Sequence, residues 1–423
     1  MRRNRRKSRV SQVPVASEVQ QLTLAEQLRN NLHEFIVRTG LETLDELLES
    51  ERTAICGQPY ARDPERGAIR GGHTRGELVM GGRRVSVSRP RARTNEGHEA
   101  LLPSWNRFSN EDPLHQRALE QMVVGVSTRR YGRSLEETPT EISTRGTSKS
   151  AVSRRFVATT TAKFRAWMAR DLSAIRLVCV MMDGITYADH VVLVALGFDV
   201  DGKKHVLGLW EGATENSVAC KGLLNNLRDR GLNTERSLLF VIDGSKALRR
   251  AILDIFGKRA LIQRCRVHKR RNVREHLPIE LHASVKSALS EAYSVQDATR
   301  AEQLLKNLAR RLETDHPSAA ESVLEGLEET LTVKKLGLTA NIERIFSTTN
   351  AIENLNGRGR DITRRVKRWR GGSMVVRWMA TAMNEAGKTF RRIQGYRDLH
   401  RLSRALEEND KKLGIIDDRQ QVA

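Results

Sequence analysis

The sequence predicts a multidomain α/β protein: a mixed-sheet core followed by a long helical stretch, preceded by helical modules and a small β-hairpin module. Three observations predict it. Short continuous apolar runs at Leu177–Met182, Val191–Gly197, His205–Trp210 and Ser237–Ile242 read as buried strands, because strands covered on both faces lose the apolar–polar alternation. A helical stretch, roughly 216–230, separates the third run from the fourth, which points to a mixed α/β sheet. From 269 to 340 the chain is charged and helical, with no strand signal.

In order along the chain, residues 1–15 form a basic flexible arm containing Arg2, Arg3, Arg5, Arg6 and Lys7. Residues 16–56 form an N-terminal helical module. There Thr23 and Glu26 match a capping box, and Leu24, Leu28, Leu32, Phe35 and Ile36 make an apolar stripe. Gly40 ends that helix, and Leu41, Leu44, Leu47 and Leu48 begin a second. Residues 57–111 hold a loop and a hairpin module. The Gly- and Arg-rich stretch 57–76 reads as linker, and Glu77–Met80 and Arg83–Ser88 flank a two-residue turn at Gly81-Gly82. Residues 112–170 read as helices around a turn at Thr144–Ser148, a helix-turn-helix-like module. The first part of the core spans 171–268, with a turn at Asp201-Gly202 and a helix over Lys246–Phe256. Residues 269–340 are the helical, charged stretch, residues 341–395 a region of basic helices, and residues 396–423 a polar C-terminal tail.

Composition narrows the partner. The 423 residues carry 73 Lys and Arg against 51 Asp and Glu, a formal +22, and such an excess calls for a polyanion. No apolar run approaches the ~18 residues of a membrane span, and no apolar segment follows the basic start, so neither a membrane nor a secretory route is expected. Cys56, Cys179, Cys220 and Cys265 are scattered without a Cys-x-x-Cys pair, which suits a reduced, cytoplasmic protein.

The chemistry is suggested by acids at strand ends. Leu177–Met182 runs into Asp183-Gly184, and Ser237–Ile242 into Asp243-Gly244. An Asp-Gly after a strand is also an ordinary turn, as at Asp201-Gly202. Two acids at the ends of neighbouring buried strands raise each other's pKa unless a hard dication compensates them. Elsewhere, Lys149–Phe156 has the layout a recognition helix needs: Val152 and Phe156 face inward, and Lys149, Ser150, Ser153 and Arg154 face outward. Arg89, Arg91 and Arg93 are either a solvated face or phosphate contacts.

Five blocks stand out: Met182-Asp183-Gly184-Ile185, the stretch His205–Asn216, Val241–Lys246, Arg264-Cys265-Arg266-Val267-His268-Lys269-Arg270-Arg271-Asn272 and Thr348-Thr349-Asn350-Ala351-Ile352-Glu353-Asn354. Together they resemble the Mutator-like transposases of bacterial insertion sequences. Their order and spacing are kept over roughly residues 75–395, most specifically in these blocks. The resemblance implies a ribonuclease H-like core, interrupted after its second acid by an all-helical insertion that precedes the third. It implies that Asp183, Asp243 and Glu353 are catalytic and hold two Mg²⁺ ions, with Mn²⁺ as a substitute. Glu343 is a rival third acid by charge alone, set aside because the Asn-Ala-Ile-Glu-Asn block surrounds Glu353. Thr186–His190 lacks the basic residues that many relatives place after the first acid, and so matches a subgroup.

Cys265-x-x-His268 matches a signature of the wider superfamily, with a structural or DNA-positioning role near the active site expected. Zinc is not expected, although His276 and His282 lie within reach in sequence, because one thiolate, irregular spacing and the cationic Lys269-Arg270-Arg271 oppose a structural site. Of the basic residues after Glu353, Arg358 and Arg360 are nearest and are expected to grip DNA. The implied partners are double-stranded DNA, as terminal inverted repeats and target, and a second copy of the chain, giving a homodimer or higher oligomer in the bacterial cytoplasm at the nucleoid. Two other readings stay open: a ribonuclease H-like, structure-specific nuclease such as a junction resolvase, and a non-catalytic DNA-binding regulator derived from a transposase.

Overall fold

The computed structural model describes residues 18–61, 66–80, 83–110, 115–135, 144–146, 148–187, 189–212 and 217–416. The basic arm and the Gly81-Gly82 turn lie outside them. The chain divides into two compact units, Met1–Met122 with Val126–Phe156, and Val123–Gly125 with Val157–Ala423.

In the first unit, helix α1 (Glu18–Cys56) is continuous where two helices were expected. Gly40 lies inside it and does not end it. A mid-helix glycine costs only about 1 kcal/mol relative to alanine, less than a broken helix flanked by leucine-rich turns would lose. Leu44 and Leu48 of α1 are buried with Leu78, Val85 and Leu102 against strands β1 (Ala68–Met80) and β2 (Arg83–Thr94). The two strands form an antiparallel hairpin with Met80 opposite Arg83. The hairpin is longer than expected, and the second half of the supposed linker is strand. Its glycines serve close packing: a Cβ on Gly76 would lie 2.3 Å from the Trp105 ring, and one on Gly71 3.0 Å from Arg91 Cβ. After β3 (Glu99–Ala100), α2 (Pro103–Asn110) and α3 (His115–Val123) comes a second correction. The expected turn at Thr144 is strand β4 (Thr144–Gly146), which pairs with β2 from Arg83 to Val85. The candidate recognition helix, α4 (Lys149–Ala169), is therefore entered from a sheet strand, and it runs well past Phe156.

The second unit holds the mixed sheet. Strands β5 (Leu177–Tyr187), β6 (His190–Asp199) and β7 (Lys204–Gly212) are antiparallel neighbours. Helix α5 (Ser217–Asp229) leads to β8 (Leu238–Ile242), and α6 (Lys246–Phe256) leads to β9 (Ala260–Arg264). β8 and β9 are parallel to β5, giving the order β7-β6-β5-β8-β9. The turn at Asp201-Gly202 is as expected, with Gly202 at φ 74°. Strand periodicity sends alternate residues to opposite faces. Cys179, Met181 and Ile185 face one layer of helices, and Val180 and Met182 face α5 and α6.

β9 was not expected. Its run Ala-Leu-Ile ends in Gln263 and Arg264, which do not read as buried strand. Both are buried because the fold supplies partners: Gln263 donates to the carbonyl of Thr330 at 2.9 Å, and Arg264 to Glu329 at 2.6 Å.

The span 269–340 is helical as expected. It runs through α7 (Arg266–Glu275), α8 (His282–Ser294), α9 (Ala298–Leu312), α10 (Pro317–Leu324) and the short α11 (Leu327–Thr330) and α12 (Thr332–Lys335). These helices build a core of their own, including Val273, Leu289, Leu305 and Val323. Helices α13 (Ala340–Phe346), α14 (Asn350–Thr363) and α15 (Gly372–Gly387) then return to the sheet, burying Ile342, Ile352, Leu355, Val375 and Met379. The expected polar tail is instead largely helix α16 (Leu399–Lys412). Its Leu399, Leu402 and Leu406 form an apolar stripe in the sheet core, and buried Asp410 accepts from the backbone N–H of Ser237 at 2.7 Å. Among the described residues, no helix is long and apolar enough to cross a membrane.

Candidate active site

Asp183 and Asp243 are brought together by register. β5 and β8 are parallel with Met181 opposite Val241, so two residues further along each strand stand the two acids. They differ in backbone. Asp243 leaves β8 in a turn whose Ser245 N–H donates to its Oδ1 at 2.9 Å, while the Ser245 hydroxyl caps α6 at Leu248. Asp183, expected at a strand end, lies within β5 instead, paired across to Val194, because β6 continues the ladder to Tyr187. The sheet itself therefore holds the first acid.

Glu353 comes from the first turn of α14. One helical turn beyond it Asn356, buried, donates to Asp183 Oδ2 at 2.8 Å, tying α14 to β5. Asn356 Oδ1 is buried without a partner. The pKa of Asp183 is pushed up to about 6 by burial, then by the Asp243 and Glu353 charges, with His268 pulling the other way. A half-buried acid beside two others, with an orphaned amide oxygen, is a site short of positive charge. A hard, oxygen-seeking cation fits such a donor set.

The Cys-x-x-His segment stands beside it. Cys265 follows β9, its N–H donating to the Ile242 carbonyl at 2.8 Å, and His268 lies in the first turn of α7. Thr349 joins both to the third acid. Its hydroxyl lies 3.3 Å from Cys265 Sγ, 3.3 Å from His268 Nδ1 and 2.5 Å from Glu353 Oε1. Burial pushes the Cys265 thiol up, but hydrogen bonds with His268 and Thr349 bring it below its ordinary value. The bond with Cys265 raises the pKa of His268. Among the described residues, the set of metal-capable groups whose ligand atoms all lie within 4.8 Å is Cys265, His268 and Glu353, rather than the three acids. These three could hold an ion, yet the Thr349 hydroxyl lies among them and hydrogen-bonds into the set. His276 and His282 are not in it; His282 Nε2 is 3.0 Å from the Leu277 carbonyl.

The rival acid Glu343 is occupied elsewhere. It pairs with Arg266 at 2.8 Å and with Lys334 at 2.9 Å. Sequence reading missed Thr349 and Asn356. Helical spacing was the available signal, since Thr349, Glu353, Asn356 and Arg360 recur at intervals of three and four.

The expected DNA contacts fall in both units. On α14, Arg360 is exposed, and the half-buried Arg358 donates to the Thr389 hydroxyl. On α4, Lys149, Ser150, Ser153 and Arg154 are all exposed, with Val152 and Phe156 buried behind them. On β2, Arg89 and Arg91 are engaged with Glu99, and Arg89 stacks 5.1 Å from the Trp105 ring centroid. Arg93 is exposed.

A family model described as "Transposase, Mutator family" matches residues 12–392. The transposase for insertion sequence element IS406 of Burkholderia multivorans is 28% identical over 336 residues, covering 77% of this chain and 82% of that one. The transposase for element ISRM5 of Rhizobium meliloti is 28% identical, covering 76% and 79%. The transposase for IS256 in transposon Tn4001 of Staphylococcus aureus is 25% identical, covering 76% and 82%.

Proposed function

Because this chain belongs to the Mutator family of transposases, we propose that it binds the terminal inverted repeats of an insertion sequence and catalyses metal-dependent DNA cleavage and strand transfer. The observation that carries this is the placement of Asp183 and Asp243 at one register of two parallel strands, with Glu353 near enough to raise the Asp183 pKa. The mixed sheet, its helical insertion and the return of α14 to β5 support a ribonuclease H-like core.

Asp183, Asp243 and Glu353 are the residues that would hold Mg²⁺, or Mn²⁺ in its place. Bound there, such ions supply Lewis-acid stabilisation at a scissile phosphate and an activated oxygen nucleophile. The chain's own part is positional. β5 and β8 fix two of the acids, Asn356 orients Asp183, and α14 delivers Glu353. Water attacks the phosphodiester, breaking its bond to the 3′ oxygen and freeing a 3′-hydroxyl. That hydroxyl then attacks a target phosphodiester and displaces its 3′ oxygen. Arg358 and Arg360 follow Glu353 on the same helix and are assigned to the DNA end, and the exposed face of α4 to reading the repeat. Two ends must be cut and joined together, so the working form is at least a dimer, acting in the cytoplasm.

The test incubates purified protein with labelled element ends, target DNA and Mg²⁺, and maps the products. Joined products with element 3′ ends in the target are expected. Cleavage without joining would assign a structure-specific nuclease, and binding without cleavage a regulator.

A further inference from the structure

We propose that Thr349 is a positioning residue that sets the direction of the Glu353 carboxylate, a role resting on the reading of Asp183, Asp243 and Glu353 as a metal site. Thr349 is the N-cap of α14, where a threonine hydroxyl ordinarily accepts from a backbone N–H two or three residues on. Here it makes no such bond. Its carbonyl starts the helix, accepting from Glu353 N at 2.9 Å, and its fully buried hydroxyl is turned toward three side chains instead.

A hydroxyl has one proton to give and two lone pairs. An ionised carboxylate only accepts, so the proton goes to Glu353 Oε1 at 2.5 Å. His268 Nδ1, at 3.3 Å, then donates to Thr349. Cys265 Sγ, 3.3 Å from the hydroxyl and 3.4 Å from the Thr349 N–H, holds the other side of the hub. A chain of donors thus runs from His268 through Thr349 to Glu353, while Cys265 Sγ accepts from the Thr349 backbone N–H. Glu353 needs such a tether, because its side chain is 42% exposed and packing does not fix it. The contacts from Thr349 and His268 both fall on Oε1, which leaves Oε2 to face an ion. Hydrogen bonds of this kind to ligating groups set metal affinity and activity.

The experiment compares wild type, Thr349→Val, Thr349→Ser and Asp183→Asn in the full chain. It measures Mn²⁺ binding by electron paramagnetic resonance, cleavage of repeat DNA, repeat affinity without metal, and thermal unfolding. Thr349→Val keeps the shape and removes the hydroxyl. It should weaken Mn²⁺ binding and cleavage on the order of 10–100-fold, with DNA affinity and unfolding unchanged. Thr349→Ser should recover most of both. Wild-type Mn²⁺ binding by Thr349→Val, while Asp183→Asn loses it, would overturn the positioning role alone. Equal impairment of the Val and Ser variants would also overturn it, by assigning Thr349 to packing. Wild-type binding by Asp183→Asn would overturn the metal site and this proposal with it.

Discussion

Two clusters of charge lie close together in the chain and are built on opposite rules. In one, charges are paired: Glu343 with Arg266 and Lys334, and Glu329 with Arg264 and Arg249. Arg266 also donates to the Thr330 carbonyl and stacks 4.8 Å from the Tyr293 ring centroid. In the acid cluster of Asp183, Asp243 and Glu353, like charges meet, and the pKa of Asp183 rises to about 6. A paired cluster neutralises its own charge and holds elements in register. A like-charged one is destabilised until something cationic arrives, which is how a site differs from a strut. The nine residues between Glu343 and Glu353 separate the two uses of the same side chain.

The sharpest way to break this contrast is at the acids. Asp183→Asn, Asp243→Asn and Glu353→Gln should each take cleavage below detection while leaving repeat binding nearly intact, since each removes charge and little volume. Gel assays of cleavage and binding on the same preparations check it, and wild-type cleavage by any variant removes that residue from the site.

The next largest effect belongs to the paired cluster. Glu343→Gln leaves Arg266 and Lys334 without their shared partner and should cost about 3–5 kcal/mol of stability. Mn²⁺ binding by the folded fraction should be unchanged. Urea unfolding measures the first; an unaltered midpoint would mean that the pairing does not hold α7, α12 and α13 together.

A third prediction uses pH. A carboxyl whose folded pKa is raised lends its stabilisation below the unfolded pKa near 4 and loses it as pH rises through about 6. Metal-free wild type should therefore lose up to about 3 kcal/mol relative to Asp183→Asn between pH 4 and 7. Mg²⁺ should restore it at the upper end. A stability difference that stays flat with pH in unfolding titrations would contradict the raised acid.

The smallest effects are expected where charges are exposed. Ser150→Ala with Arg154→Ala on α4 should cost about 1–3 kcal/mol per lost base contact on the repeat and little on scrambled duplex. Arg93→Ala should weaken both duplexes alike and flatten the salt dependence. Arg89 and Arg91, already engaged with Glu99, should contribute less than Arg93. Titrations at two salt concentrations separate these cases, and equal weakening of both duplexes by the α4 changes would remove α4 as the reader.

Much of the core was legible along the chain, and the reason is local. Apolar runs such as Leu177–Met182 and Leu238–Ile242 must be buried wherever they lie, and Lys246–Phe256 carries its own serine cap. The acids could be named because each belongs to a short block whose order and spacing resemble one family. What stayed hidden depends on partners distant in sequence. Gln263 and Arg264 make a strand only because Thr330 and Glu329 receive them. The supposed tail is a core helix because the sheet offers Leu399, Leu402 and Leu406 a face. Gly71 and Gly76 look like linker until Arg91 and Trp105 are packed against them. Thr349 reads as a helix cap until folding brings Cys265 and His268 to its hydroxyl. The sequence by itself determined which residues had to be buried and which acids were available. Only the tertiary structure decided which charges are neutralised, because a charge is compensated by whatever the fold places within a few ångströms of it.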